Sequence, residues 1–519
     1  MAQNFYAQGL SIQIFTALLK AHGIKKVSAC SGTEGVTFAD IARSDSWFEV
    51  CTALDERSAG YIACGIAAET AEPVVLSCAG PNVSRSICPA LTEAYYRQLP
   101  VLAVTSAPAP RGENLLPKFT DRPSLPNDCA KLSVYIPEIR TDEDRQTYTA
   151  KINEALLELR HNGGGPVHIC IAMDSSENSA HEIPEVRAVR RIEACEKSMP
   201  EITAKTVGIF AASHRRWSSR LTDLAEEFCA KYNGVILCGN TGNYRGKYWS
   251  NPNLVPEDSR PDMDLMIHIG GSCGKYTPLR AKDVWRVSLD GELQGTFGNL
   301  GCVFQMREEE FFSRYIALNP AGSSQPNTEY YSLWKSVESR AHELVPELAF
   351  SGAWAAQQTS GRLPGDSVLH LGGSNTLKAW ECLGIPEGVS VCANTGTFGI
   401  EGCVSALLGA SLVAPEKICF GVFDAPAFFC NMNAAGNRHR PRNLRIMVLN
   451  SGYVDGELLK HYAQGLGFEY LCASGKEEYL SCLERFTVPE ITERPVFFEV
   501  FTDSRSEVDA LSALNGGRQ

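Results

Sequence analysis

Three consecutive α/β units, each a doubly wound parallel sheet, are the fold class this sequence predicts. Short continuous apolar runs recur along the chain, helical patterns separate them, and 519 residues exceed what one ordinary core holds. At roughly 150 residues per domain, three domains are the natural division. Strands that are apolar without polar alternation are covered on both faces, which is the parallel arrangement.

In the first unit (1–185), a helical pattern from Ile12 to His22 leads to the strand Lys26 to Cys30 and the turn Ser31-Gly32-Thr33-Glu34-Gly35. The apolar segment Phe48 to Ala53 follows, then strand runs at Val74 to Cys78, Val101 to Thr105 and Val167 to Ile171. Helices are predicted around Ile87 to Tyr96 and Tyr148 to Arg160. The Pro-rich stretch Pro108 to Asp128 reads as a long surface loop able to line a site. A polar linker, Asp174 to Pro200, precedes the second unit (200–345), with strands Thr206 to Ala211, Val235 to Cys238, Leu265 to Ile269 and Val284 to Val287. The helical stretch Tyr330 to Leu344 leads into the third unit (346–519). Its strands are Ser367 to Leu371, Val389 to Cys392, Ile418 to Val422, Arg445 to Asn450 and Val496 to Phe501.

Composition excludes several classes. A net charge of -12 argues against a nucleic-acid surface, which needs clustered Lys and Arg. No apolar run approaches the ~20 residues that span a bilayer, and Met1 to Phe5 lacks the layout of a signal peptide. The 19 cysteines form no C-x-x-C pair or regular spacing. Cys170, Cys238, Cys392 and Cys419 sit in apolar contexts, so a reducing cytoplasm fits better than a disulfide framework. His168 and His268 lie in apolar runs and read as satisfied core residues.

Two regions carry candidate chemistry. In Leu54-Asp55-Glu56-Arg57-Ser58-Ala59-Gly60, an acidic pair opens a helix whose Ala59, Gly60, Ala63, Cys64 and Ala67 permit close packing. Glu56 falls in its first turn, where the helix dipole favours a carboxylate. In the third unit, Asn394-Thr395-Gly396-Thr397-Phe398-Gly399-Ile400-Glu401-Gly402 joins a strand to a small-residue helix, and its glycines allow close backbone approach to a ligand. Asp424, after one strand, and Asn450 to Gly452, after the next, form an oxygen-rich pair of loops suited to Mg²⁺ carrying a diphosphate. The plain alternatives are a helix-start charge for Glu56, ordinary core for Ile400 and a turn residue for Asp424.

With these segments in hand, the whole chain resembles the thiamine-diphosphate-dependent enzymes of the decarboxylase and acetolactate-synthase superfamily. Within it, the chain most resembles the menaquinone-pathway succinyl-cyclohexene-carboxylate synthase group. The resemblance implies the thiamine-diphosphate-binding fold at both ends, with a Rossmann-like domain between them. It makes Glu56, in Asp-Glu-Arg-Ser-Ala-Gly, the catalytic glutamate that bonds the aminopyrimidine ring. Asn394, Thr395, Gly396, Phe398, Gly399 and Ile400 become the loop that cradles the cofactor, with Ile400 as the wedge that bends it, and Ser374 joins them from Leu371-Gly372-Gly373-Ser374-Asn375. Trp285 to Ser288 and Gly165 to Ile169 resemble segments of the central and first domains. Further implications are a cytoplasmic homodimer or homotetramer with sites between subunits, and a 2-oxoacid substrate that is decarboxylated and joined to a second carbonyl or enone.

The metal motif departs from the family's Gly-Asp followed by Asn-Asn. Aligned without gaps, Ala425 falls on the metal-binding aspartate and Ser451 on the asparagine. A one-residue shift substitutes Asp424 and Asn450, 26 apart (450 − 424), with Gly452 offering a carbonyl. Arg438, Arg440, Arg442 and Arg445 are the nearby cations that would otherwise replace the metal. The rival reading is a family member without metal or cofactor that serves as a binding or scaffolding subunit. Asn240 and Thr241 in the central unit read either as a vestigial nucleotide site or as a plain turn.

Overall fold

A computed structural model describes residues 9–30, 38–79, 83–108, 125–173, 185–272, 277–319, 327–396, 400 and 402–514. Its strands form three sheets, and the chain divides into two compact units, Met1–Arg191 and Ile192–Gln519.

The first unit holds a six-stranded parallel sheet in the order Glu49–Ala53, Lys26–Cys30, Val74–Ser77, Val101–Pro108, Val167–Met173, Leu132–Ile136. Two apolar layers cover it, one around Phe15, Phe38 and Ile152, the other around Ala63, Leu76 and Leu91. The second layer depends on small residues. Ala59, Gly60, Ala63, Cys64 and Ala67 are the buried face of helix Glu56–Thr70. A Cβ on Gly60 would come within 2.6 Å of the Cβ of Ala90 in helix Val83–Tyr96, so only glycine permits that approach. The described part of the predicted linker contains a strand, Arg190–Glu193, which forms an edge of the second sheet.

The second unit holds two sheets. The seven-stranded one runs Trp249–Ser250, Gly234–Leu237, Val207–Ala211, Met263–Ile269, Ala281–Ser288, Leu300–Gln305, Arg190–Glu193. The six-stranded one runs Ser390–Ala393, Val368–Gly372, Cys419–Asp424, Leu444–Asn450, Val496–Phe501, Glu469–Ala473, all in parallel. Its two faces bury different clusters. Val422, Met447, Leu449 and Val500 point to one side, and Phe423, Val448, Ile446 and Phe497 to the other.

A buried polar cluster joins these two sheets. Glu381, 2% exposed, accepts the Thr241 N–H at 2.9 Å and the Asn253 amide at 3.5 Å through its carboxylate. Its backbone carbonyl accepts the Asn251 amide at 2.8 Å. The Asn240 amide donates to the carbonyls of Trp380 and Leu383, and Asn243 both donates to and accepts from Val391. The carboxylate fills the space a side chain on Gly239 would need. Asn240 and Thr241 thus dock the central sheet onto the C-terminal one, a role distinct from either a nucleotide site or a free turn. Polar groups sealed from water hold their geometry because each lost partner costs 1–3 kcal/mol or so.

Of the two core histidines, His168 bonds Thr105 Oγ1 at 2.8 Å, and burial lowers its pKa to about 4. His268 differs from expectation. Packed near Phe210 and Phe297, it has no partner for either ring nitrogen, and burial, aided by Arg286, lowers its pKa to about 3. Glu381→Ala should destabilise the second unit by about 2–4 kcal/mol, since it strands several buried donors at once; urea unfolding of the full chain followed by tryptophan fluorescence measures it.

Candidate active site

In an open parallel sheet, ligands gather at the carboxyl ends of the strands. In the C-terminal sheet those ends are Gly372, Ala393, Asp424, Asn450 and Phe501. Asp424 and Asn450, paired as metal ligands by the shifted reading, end adjacent strands, yet they engage different surroundings.

Asp424 is the N-cap of the short helix Ala425–Phe429, and its Oδ1 accepts the Ala427 N–H at 3.1 Å. By strand alternation it shares a face with Val422, the side on which Gly373 (φ +100) lies. Its carboxylate occupies the space where a Gly373 side chain would be, which explains the glycine there. Burial raises its pKa, the Ala427 hydrogen bond opposes this, and the neighbouring Glu507 carboxylate adds to the rise. Glu507 itself accepts the Gly352 N–H at 2.8 Å.

Asn450 shares the opposite face with Val448. It is 1% exposed, and its amide donates to the Val454 carbonyl and to Glu499 Oε1, both at 2.8 Å. Its carbonyl accepts the Val454 N–H at 3.3 Å. Glu499, fully buried, also accepts the Tyr470 hydroxyl at 2.7 Å, and burial raises its pKa. Asn450 therefore ties the loop after its strand to an internal carboxyl group. Gly452 (φ +84) is exposed at that loop's tip. Strand register sets Asp424 and Asn450 on opposite faces of the sheet, and at the ungapped positions Ala425 is buried and apolar while the Ser451 carbonyl accepts the Ser504 hydroxyl. Among the described residues, no cluster of three or more His, Cys, Asp or Glu side chains is placed to hold a metal.

Three of the four nearby arginines, Arg438, Arg440 and Arg445, are engaged with other partners. The guanidinium of Arg445 donates to the carbonyls of Arg442 and Glu490, and its strand position is five residues before Asn450 (450 − 445), about 16 Å along the strand. Arg440 donates to the carbonyls of Ala435 and Leu466 and lies over the Phe468 ring. Arg438 is engaged with His439. A diphosphate set beside Asp424 without a cation would face repulsion on the order of 4 kcal/mol per unit charge pair at about 4 Å and an effective dielectric near 20. The residues present do not fit a magnesium–diphosphate seat.

The other residues singled out in the sequence are placed as follows. Asn394 is half-buried with its amide 3.7 Å from the Cβ position of Gly402, which takes the left-handed conformation (φ +78) and opens helix Cys403–Val413. Thr395 is buried in a tight turn, its N–H bonded to the Ala393 carbonyl at 2.8 Å, and Gly396 is exposed. Ile400 is half-buried against the cluster of Leu407 and Phe423. Phe398 and Gly399 lie outside the described residues. Ser374 is exposed as the first residue of helix Ser374–Trp380. In the first unit, Asp55 caps helix Glu56–Thr70 through Ser58, which leaves Glu56 free of the capping role. Glu56 is half-buried in the first helical turn.

Comparison with known proteins gives the same likeness. Residues 12–123 match the family described as thiamine pyrophosphate enzyme, N-terminal TPP binding domain. The resemblance stands. Relatives span nearly its whole length: 2-succinyl-5-enolpyruvyl-6-hydroxy-3-cyclohexene-1-carboxylate synthases of Bacteroides thetaiotaomicron and Bacteroides fragilis are each 28% identical, covering 98% of both chains. The synthase of Phocaeicola vulgatus is 27% identical over the same share.

Sequence reading passed over Glu499 and Glu381. The signal for Glu499 was present, a lone carboxylate inside Val496-Phe497-Phe498-Glu499-Val500-Phe501. Asn450→Ala should cost about 2–3 kcal/mol of stability by stranding Val454 and Glu499. Chemical denaturation checks it, and an unchanged midpoint would mean that the amide is not committed to this network.

Proposed function

We propose that this protein is an enzyme of the thiamine-diphosphate type that decarboxylates a 2-oxoacid and transfers the resulting acyl-anion equivalent to a second substrate. The observation that carries the reading is Glu56, held half-buried at the head of a helix whose capping duty falls to Asp55. The relatives' name describes a succinyl unit joined to a cyclohexene ring. A succinyl unit delivered with loss of carbon dioxide comes from a dicarboxylic 2-oxoacid of the 2-oxoglutarate class, and a ring enone is the matching acceptor.

Thiamine diphosphate, when bound, supplies the electron sink for loss of carbon dioxide. In this reading Glu56 exchanges a proton with the aminopyrimidine ring. Asn394, Thr395, Gly396, Phe398, Gly399 and Ile400 would hold that ring, with Ser374 joining them. The working unit is a homodimer or homotetramer with shared sites. Supporting it, the first unit exposes Leu54 and Tyr61 beside Glu56, and the second exposes Leu412 and Val413 at the end of an apolar helix. Among the described residues, no helix is long and apolar enough to cross a membrane.

A second reading, a cofactor-free binding subunit, is favoured by one observation, the dispersal of Asp424 and Asn450 onto opposite sheet faces. The deciding assay is carbon dioxide release from 2-oxoglutarate by the full-length protein supplied with thiamine diphosphate. Glu56→Gln should lower kcat/KM by about a hundredfold or more. Undiminished turnover in that variant removes Glu56 from the role, and no turnover in wild type favours the binding subunit.

A further inference from the structure

We infer that the C-terminal strand ends of this chain hold no divalent cation, so that any diphosphate bound there is bound without the metal on which the thiamine-diphosphate enzymes rely. The inference rests on the reading of the chain as one of that type, and it stands on side-chain commitments.

A cation shared by a diphosphate and a protein needs oxygen ligands converging from the protein side. Here one oxygen of each strand-end side chain, Asp424 Oδ1 and Asn450 Oδ1, is already committed. Asp424 Oδ1 accepts the Ala427 N–H, and the carboxylate lies against Gly373. Asn450 directs its carbonyl oxygen to the Val454 N–H. The side chain that an ungapped alignment sets at the aspartate position is the methyl group of Ala425, fully buried. Adjacent strands place Phe423 and Val448 in one core and Val422 and Leu449 in the other, so Asp424 and Asn450 diverge as a consequence of strand register. Of the nearby cations, Arg440 and Arg445 are tied to backbone carbonyl groups.

The test is calorimetric titration of the full-length protein with thiamine diphosphate, in excess Mg²⁺ and in chelator, with Mn²⁺ occupancy read in parallel by electron paramagnetic resonance. Wild type is expected to give the same Kd in both media within about twofold, or no heat in either, and to leave Mn²⁺ free. The variant Ala425→Asp/Ser451→Asn restores both family ligands, and a tightening of about tenfold or more by Mg²⁺ in that variant supports the inference. Asp424→Ala should leave the Mg²⁺ response as it is in wild type, which needs no gain of function to be read. A tenfold or so tightening of wild type by Mg²⁺, with one Mn²⁺ held per chain and lost in Asp424→Ala, overturns the inference. Absence of heat in every wild-type titration removes the proposed cofactor chemistry while the inference stands; metal-dependent heat does the reverse.

Discussion

Side chains on a strand alternate between the two faces of its sheet, and in this protein that alternation governs what the C-terminal domain can bind. Register ties Asp424 to Leu449 on the neighbouring strand, so Asp424 belongs with Val422 and Leu449 on one face while Asn450 belongs with Val448 on the other. Each then finds local partners. The carboxylate of Asp424 caps a helix, and the amide of Asn450 joins Glu499 and Tyr470 in a buried network. Asn450 is satisfied on both its amide nitrogen and its oxygen, and Asp424 commits one carboxylate oxygen to the helix cap.

The surrounding architecture makes this arrangement hard to relax. The central and C-terminal sheets share one compact unit, joined through Glu381 and the asparagines around it. Close approaches at Gly239 and Gly373 leave no space for a side chain at either position. A carboxylate fills the gap in both cases. Acidic groups therefore serve as structural fillers in this chain, and their presence at a strand end is weak evidence for metal binding.

The fold was legible because central strands of covered parallel sheets are continuous apolar runs, as in Val74–Ser77, Met263–Ile269 and Cys419–Asp424. Most of the strands that sequence reading passed over lie at sheet edges: Leu132–Ile136, Trp249–Ser250, Arg190–Glu193 and Glu469–Ala473. An edge strand has a neighbour on one side only, so polar residues intrude and the run is lost. Leu300–Gln305, one place inside an edge, was also missed. The helix of Glu56 was legible to the residue, since the buried face is its small residues. The metal pair was not, because a shift of one residue leaves composition and spacing almost unchanged while reversing the face. Phe398 and Gly399 lie outside the described residues.

A crystal structure of the full-length protein grown with thiamine diphosphate and Mn²⁺, with data collected at the manganese edge, addresses the central claim most directly. The account predicts no anomalous peak at the ends of strands Cys419–Asp424 and Leu444–Asn450, with the Asn450 amide still bonded to Glu499. A peak coordinated jointly by Asp424 and Asn450 would contradict it.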